Sequence, residues 1–443
     1  MKNLFVSAGL VALGAAALNQ SAKADDVNSP KNWNVSGTLR GFYDDNYEPG
    51  SANSGTFGME VSPAVSYHLP LQQTDLGIRY TYGLYYYQER QDKGQDAFDQ
   101  THQLDLWVDH AFNERWHGKF NDTFAAGQEP ELLQGTGLQA VPYRINGDNY
   151  SNHGSVALST DWTRLFSTVL TYNNGYFDYA NSGARVVGGP AIMTGSNVGA
   201  SLAGLLDRVE ESGAIDLKWH VAPETTLFVG YQLSIDNYIG NEPIAITPVT
   251  TASFNGIYHS QDRDSLTHYG YAGIQHQFTA NLGGMARAGV SYTDNYNDPL
   301  NKTTSWAPYA DVALTYTYLP GSYAQVGFTH DINASDQVQP DTAGNLTQYA
   351  ESSVGYLSLN HKITSQLTGS AIGRIQYSTY QGGLASNETE TDYGLGLNLN
   401  YMINQHISVD AGYNYDNVST SGMQVVDVGY TRNRVYLGLT VNY

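Results

Sequence analysis

Charged side chains recur in this sequence on the strand faces opposite stripes of apolar residues, and they are its best candidates for chemistry. If these strands enclose a lumen, the charged faces line its wall. Acidic residues on a loop that folds in opposite basic residues of that wall would set up a transverse electric field, which orients polar solutes and tunes ion selectivity. The simpler alternative is that the wall charges only hydrate a wide lumen and that the loop lies outside it. The wall residues are Arg40, Arg79, Asp105, Asp109, Lys119, Asp216, Lys218, Arg287 and Arg374, and the loop residues, within 127–152, are Glu129, Glu131, Arg144 and Asp148.

Signs of catalytic or metal chemistry are weaker. Thr329–Asp331 places a histidine beside an aspartate, but a hydrolase at a lipid boundary needs a serine, a histidine and an acid brought together. No sequence motif announces such a set, so we predict no enzyme and keep a barrel hydrolase as a remote alternative. The histidines lack metal-ligand spacing, and the acidic runs at Asp92–Asp99 and Asp294–Asp298 lack the full calcium-loop pattern. We expect no metal and no cofactor.

Composition argues against an ordinary soluble protein. The 443 residues include 35 Tyr and 46 Gly, but only 14% are charged, against about 25% in typical soluble domains. Cysteine is absent, which excludes disulfides and thiolate metal sites. The net charge of −21 makes nucleic acid an unsuitable partner, because phosphate binding needs clustered basic residues.

The N-terminal residues have the pattern of a secretory signal peptide. Lys2 supplies the positive start, residues 4–18 form an apolar run, and Ala22 and Ala24 fit a small-x-small cleavage site. A membrane anchor is the rival interpretation, but the run is shorter than the ~20 residues that span a bilayer. We therefore predict a signal peptide at 1–24, a short periplasmic segment at 25–32 and one domain at 33–443.

From Trp33 onward, strand-like alternation fills the chain. Segments such as "TDLGIRYTYGLYYY", "TSWAPYADVALTYTYLP" and "DYGLGLNLNYMI" place apolar side chains at every second residue. No long segment holds a helical period. Eight short connections alternate with nine longer polar ones, which predicts about 18 strands, although the spacing permits 16. Pro63 and Pro308 fall inside predicted strands, where each removes a hydrogen-bond donor.

Three architectures compete for such a pattern. A soluble sandwich or propeller would have fewer aromatic residues and turns of similar length at both ends. A solenoid would show a tighter repeat. An all-β transmembrane antiparallel up-and-down β-barrel accounts for the leader, the alternation, the short periplasmic turns, the long extracellular loops and the abundant tyrosine. We predict this barrel.

With these patterns in view, the chain resembles bacterial outer-membrane porin-like barrels, and most of all the putative beta-barrel porin 2 group. The resemblance spans about 33–443 and rests on stretches such as "HKITSQLTGSAIGRIQYSTY" and "YMINQHISVDAGYNYDN", and on the aromatic C-terminus. It implies that the last strand serves as a signal for the outer-membrane insertion machinery. The matching residues are Val435, Leu437, Leu439, Val441 and Tyr443.

The resemblance and the strand count together predict a function. Eighteen tilted strands close at a diameter of roughly 35 Å, too wide for wall side chains to fill. Loops near 126–151, 174–212 and 239–264 would narrow the bore. We expect passive diffusion of small polar or ionic solutes, with a structural barrel associated with polysaccharide export as the alternative. Expected partners are outer-membrane lipid and lipopolysaccharide, the insertion machinery, small solutes and, as one option, two further copies in a homo-trimer.

Overall fold

Nearly all of the described chain is β-strand. The computed structural model describes residues 31–47, 55–127, 149–180, 202–300, 302–335, 338, 340–422 and 429–443. Within them, 18 strands form one antiparallel sheet, and two short strands form a separate hairpin. The barrel strands are β1 Trp33–Asp44, β2 Thr56–Pro70, β3 Thr74–Tyr87, β4 Phe98–Ala111, β5 Trp116–Gly127, β6 Asn149–Asp161, β7 Phe166–Tyr179, β8 Arg208–Ala222, β9 Thr225–Tyr238, β12 Ser265–Thr279, β13 Leu282–Asp294, β14 Thr304–Leu319, β15 Ser322–Ala334, β16 Thr347–Lys362, β17 Leu367–Gly382, β18 Thr389–Asn404, β19 Ile407–Ser421 and β20 Tyr430–Asn442.

The few remaining elements lie in the longer connections. Among the described residues these are the hairpin strands β10 Pro243–Ile246 and β11 Ile257–His259, the helical turns α1 Gln88–Asp92 and α2 Leu202–Leu206, and the 3₁₀ turn Ser260–Arg263. No helix in the described ranges is both long and apolar enough to cross a membrane.

The sheet closes because the first strand pairs with the last. In register, Leu39 of β1 lies opposite Leu439 of β20. The pairing extends to the C-terminus, where the backbone N–H of Tyr443 donates to the carbonyl oxygen of Val35 at 2.8 Å. Closure leaves no edge of the 18-stranded sheet exposed, as a lipid environment requires. The predicted antiparallel barrel of about 18 strands is confirmed.

Alternation along each strand gives the barrel an apolar outer surface. Exposed large apolar residues follow a period of two on the outside, as at Leu395, Leu397, Leu399 and Tyr401 of β18. Aromatic pairs ring both ends of this surface. At the short-turn end they include Trp33–Tyr443, Trp116–Trp162 and Phe166–Trp219, and at the long-loop end Tyr43–Phe57, Tyr86–Phe98 and Tyr292–Trp306. An apolar band between two aromatic girdles is the surface expected of a barrel embedded in a bilayer.

Both interior prolines lie within strands, at places where one ladder is interrupted. In the β2–β3 pairing the register passes from Val61–Leu84 to Ala64–Thr81 and omits Pro63. Pro308 pairs with β13, whereas the β14–β15 pairing begins only at Ala310. The missing N–H donors therefore coincide with gaps in pairing, which is how a sheet accommodates proline.

Candidate functional site: the lumen wall and the loop cap

The inner face of the barrel carries the predicted wall charges, and four of the nine, Arg40, Asp109, Lys119 and Arg287, form ion pairs with described residues. Arg40 of β1 donates through Nε to Asp410 of β19 at 2.9 Å, and its Nη1 lies 3.3 Å from Glu60 of β2. Arg287 of β13 donates to Asp311 of β14 at 2.9 Å. The acids lie on neighbouring strands, so register between strands creates the pairs.

The inner faces of β12 to β19 form a crowded wall. The guanidinium of Arg287 lies 5.1 Å from the ring centre of Tyr271 and 5.2 Å from that of Tyr309. Arg374 donates to the amide oxygen of Gln376 at 2.6 Å. Inward side chains of this wall are buried against one another; they include Tyr269, Tyr271, Tyr309, Asp311, Tyr356, Arg374, Gln376 and Asp392. Side chains buried in this way leave little room for water beside them.

The inner faces of β3 to β6 form a second wall, which we call the open wall. Its inward polar side chains between Arg79 on β3 and Ser155 on β6 are half-exposed, except for Tyr87 and Asp99, which are buried at the long-loop end. Lys119 of β5 pairs with Asp109 of β4 at 3.1 Å, and both remain partly exposed. The lumen is therefore polar and accessible along this side.

Arg79 and Asp105 face each other across the β3–β4 register on the open wall. Asp105 accepts hydrogen bonds from Gln103 at 3.0 Å and from Thr123 at 3.0 Å. Arg79 has no hydrogen-bond or ion-pair partner among the described residues. Of the predicted wall cations, it is the one whose charge is most available to a solute.

The loop half of the predicted constriction lies outside the described residues. Glu129, Glu131, Arg144 and Asp148 fall in the undescribed range 128–148, so the transverse field between loop and wall stays a prediction. Ala22 and Ala24 of the predicted cleavage site also fall outside, in residues 1–30.

Sequence reasoning missed a second charge cluster at the barrel seam. Asp44 at the end of β1 accepts from the Nε of Arg432 and the Nε of Arg434 of β20, each at 2.8 Å. The Asp44 side chain has no exposed surface. Alternation alone places all three residues on inner faces, and the contact becomes visible only once β1 is paired with β20.

Extracellular connections pack into a cap with its own apolar core. Arg263 links segments of the cap. It donates hydrogen bonds to the backbone oxygens of Leu205 and Ser335, and its guanidinium lies 4.4 Å from the ring centre of Tyr238. Tyr238 is a buried residue at the end of β9, so the cap reaches the barrel rim. The core comprises Leu205, Leu206, Ile244, Ala245, Phe254, Tyr258, Val338 and Leu346.

The cap joins four connections, namely those between β7 and β8, β9 and β12, β13 and β14, and β15 and β16. Loops near 174–212 and 239–264 were predicted to narrow the bore, and the described parts of both belong to the cap. Burial raises the pKa of Asp207, which lies between α2 and β8, to about 7, and a hydrogen bond from the backbone N–H of Tyr179 partly offsets that rise.

The last strand has the outward face predicted for it. Val435, Leu437, Leu439, Val441 and Tyr443 are all exposed on the outer surface. Tyr443 packs against Trp33 at 5.7 Å between ring centres, and Lys31 Nζ lies 4.0 Å from the Tyr443 ring centre. Its role as an insertion signal stays a prediction.

The chain thus forms a closed barrel with a polar interior and an aromatic residue, Tyr443, after its last strand. Residues 248–443 match the family model of putative beta-barrel porin 2. The predicted resemblance to the putative beta-barrel porin 2 group is confirmed over these residues, which run from the cap hairpin through β20. No curated protein matches the chain.

Solved structures similar to the chain include both receptors and porins of the outer membrane. The siderophore receptor PirA from Acinetobacter baumannii is 9% identical at a TM-score of 0.45, with 94% of this chain and 81% of that chain covered. OccAB4 from the same organism is 9% identical at a TM-score of 0.42, with 94% and 100% covered. OccK3 from Pseudomonas aeruginosa is 10% identical at a TM-score of 0.41, with 93% and 95% covered.

Proposed function

We propose that the protein is an outer-membrane channel through which small polar or ionic solutes diffuse passively. The observation that carries the proposal is the unequal filling of the lumen, with the crowded wall of β12 to β19 facing the half-exposed polar side chains of β3 to β6. A solute would move along the open wall, where it meets carboxylates, amides, hydroxyls and Arg79, whose charge has no partner in the described part of the chain. The match to a porin family over residues 248–443 supports the same function.

The loop cap supports a narrowed entrance. Its core stands at the extracellular ends of β7 to β16, on the side that the crowded wall largely occupies. The open wall lies outside that group of loops. A solute would therefore enter beside the cap and meet Arg79, Asp105 and the Lys119–Asp109 pair in turn.

The proposal includes the route by which the protein reaches its membrane. Residues 1–24 would direct export and be removed after Ala24. The outward face of β20 would then guide insertion, and the short turns would face the periplasm. Lipid and lipopolysaccharide would cover the apolar band.

Arg79 provides the experiment that tests the channel. One charge about 7 Å from an ion in water contributes about 0.6 kcal/mol, which is a factor of about 2.7. Loss of the charge favours the cation and disfavours the anion by that factor each, so Arg79→Gln is expected to raise the cation-to-anion permeability ratio about sevenfold. The ratio is obtained from reversal potentials in planar bilayers at low salt, where screening is weak.

Arg79→Lys is the matched control, because it keeps the charge and should keep the wild-type ratio. A folded barrel that conducts with the same ratio in the wild type and in Arg79→Gln would rule out a solute path along the open wall. A folded barrel that passes no current would contradict passive diffusion itself.

A further inference from the structure

Three side chains on the outer surface of the barrel form a hydrogen-bonded chain that the sequence did not reveal. Nδ1 of His330 on β15 lies 2.8 Å from Oγ of Ser353 on β16, and Nε2 of His330 lies 2.9 Å from Oε1 of Glu351. His330 and Ser353 are direct partners in the β15–β16 register. Glu351 lies two residues from Ser353 on the same face, within diagonal reach of the histidine.

The acid that bonds to His330 is Glu351 and not Asp331, the acid next to His330 in the sequence. Asp331 follows His330 directly, but neighbouring residues of a strand point to opposite faces. The outer face of β15 carries exposed Val326 and Phe328, so His330 faces outward and Asp331 faces the lumen. Register with β16 supplies Glu351 in its place.

The hydrogen bonds define how the neutral histidine holds its proton. An ionised carboxylate can only accept, so the ring nitrogen facing Glu351 carries the N–H. The nitrogen facing Ser353 then has a free lone pair and accepts the Oγ–H of Ser353. With the two ring nitrogens exchanged relative to the serine-protease triad, the histidine is still placed to act as a general base toward a serine nucleophile.

The set lies near the top of the apolar band. His361, on the same face of β16, stacks with Tyr318 at the short-turn end. With a rise of ~3.4 Å per residue and a tilt of ~40°, Ser353 stands about 21 Å above His361 along the membrane normal. The band is about 25 Å tall, so Ser353 lies close to the outer-leaflet interface, where acyl chains of a lipid join their head group.

An apolar notch lies directly below the serine. Gly355 lies at the base of the notch. The residues paired with Gly355 on the two neighbouring strands, Phe328 and Ile375, lie on either side and have exposed side chains. A Cβ added at Gly355 would meet only the Cγ2 of Ile375 at 3.5 Å and one backbone oxygen at 4.0 Å. An acyl chain can therefore lie over Gly355 with its ester group beside Ser353.

We propose that Ser353, His330 and Glu351 form a hydrolase site for the fatty-acyl esters of lipids that lie against the barrel. The site does not depend on conduction through the lumen. Ser353 and His330 are the catalytic residues, and Glu351 is a positioning residue that holds the ring. Tyr377, the β17 partner of Ser353, offers a phenolic O–H to the developing oxyanion.

The reaction requires water as the only co-reactant. Oγ of Ser353 attacks the acyl carbonyl carbon while His330 takes the Oγ proton. The ester C–O bond then breaks, and His330 gives that proton to the leaving alcohol oxygen, which leaves an acyl-serine. Water, deprotonated by His330, attacks the acyl-serine. The fatty acid leaves and the proton returns to Ser353.

The test uses the refolded full-length barrel in mixed detergent micelles with one of two lipids, phosphatidylethanolamine or lipopolysaccharide. Fatty-acid release is followed by mass spectrometry. We expect release from at least one lipid, and the responding lipid identifies the source of the ester. Ser353→Ala is expected to lower the rate at least ~100-fold. Ser167→Ala is the control and should leave the rate unchanged. Ser167 is also hydrogen-bonded to a histidine, His220, but the other ring nitrogen of His220 contacts Thr226 and not an acid.

Two further measurements separate catalysis from folding. A fluorophosphonate probe is expected to label Ser353 covalently in the wild type and to give no adduct in Ser353→Ala. Heat-modifiable gel migration shows whether each variant is folded. A folded wild type that releases no fatty acid from either lipid and takes no label at Ser353 would overturn the proposal, as would equal rates in the wild type and Ser353→Ala.

The positioning residue and the notch have their own readouts. Glu351→Gln is expected to lower kcat with little change in KM, and Glu351→Asp to restore part of the loss, whereas equal loss in both variants would contradict positioning by the carboxylate.

Gly355→Val fills the notch and is expected to slow long-chain esters more than short-chain ones. Equal slowing of both would place the acyl chain elsewhere and contradict the notch.

Discussion

An arginine in place of Leu170 is expected to lower the free energy of unfolding by about 2–4 kcal/mol, which is the depth-dependent cost of a basic residue on the lipid face of a barrel. Leu170 is exposed on the outside of β7. It lies four residues from Phe166, which packs against Trp219 at the short-turn end. Four tilted residues correspond to about 10 Å, so Leu170 lies near the middle of the apolar band.

Thr171 gives the matched control, because the next residue of β7 faces the lumen. Thr171→Arg places the same charge in water and is expected to change the free energy of unfolding little. Both values can be measured by urea titration of the barrel in lipid vesicles, with tryptophan fluorescence as the signal. Equal destabilisation by the two variants would mean that the lipid face and the water face have been assigned wrongly.

Replacing Asp44 by asparagine is expected to lower the free energy of unfolding by about 3 kcal/mol. Asp44 is the fully buried acid between Arg432 and Arg434, and its neutralisation leaves two neighbouring guanidinium groups without their shared counter-charge. Breaking a buried pair from one side costs about 3–5 kcal/mol. The lower figure applies because the two arginine side chains keep 12% and 18% of their surface exposed.

The seam variant can be assessed by the same urea titration and by heat-modifiable migration. Glu89→Gln is the control, since Glu89 forms an exposed pair with Lys93 at 3.4 Å and exposed pairs contribute little. We expect no measurable change there. An Asp44→Asn barrel as stable as the wild type would show that the backbone pairing of β1 with β20 closes the barrel without help from this charge cluster.

Much of the fold could be predicted from the sequence, because the strands and turns of a barrel follow from patterns over a few neighbouring residues. Alternation in "DYGLGLNLNYMI" and "NRVYLGLTVNY" defines strands and faces without knowledge of neighbours. The eight short turns likewise lie where Gly, Pro, Asn and polar residues interrupt the alternation. These signals act over two to six residues, so a single sequence reveals them.

Contacts between distant residues could not be predicted in this way. Arg40 meets Asp410, and Asp44 meets Arg434, only because β1 pairs with β20 in one register. His330, Glu351 and Ser353 come together through the register of β15 with β16. A shift of one residue would turn every side chain to the other face, and alternation alone does not fix the pairing. The cap core was also hidden, because its residues come from three separate connections, and Leu300 of a fourth packs against them.

A single introduced cysteine can report directly on a water path along the open wall, since the chain has no cysteine of its own. Ser155 faces the lumen from β6, and its neighbour Val156 faces outward. Single channels of Ser155→Cys and Val156→Cys are recorded in planar bilayers while sulfonatoethyl methanethiosulfonate is added. We predict a stepwise fall in the conductance of Ser155→Cys and a steady conductance for Val156→Cys. A conducting Ser155→Cys channel whose current the reagent leaves unchanged would contradict a water path along β3 to β6.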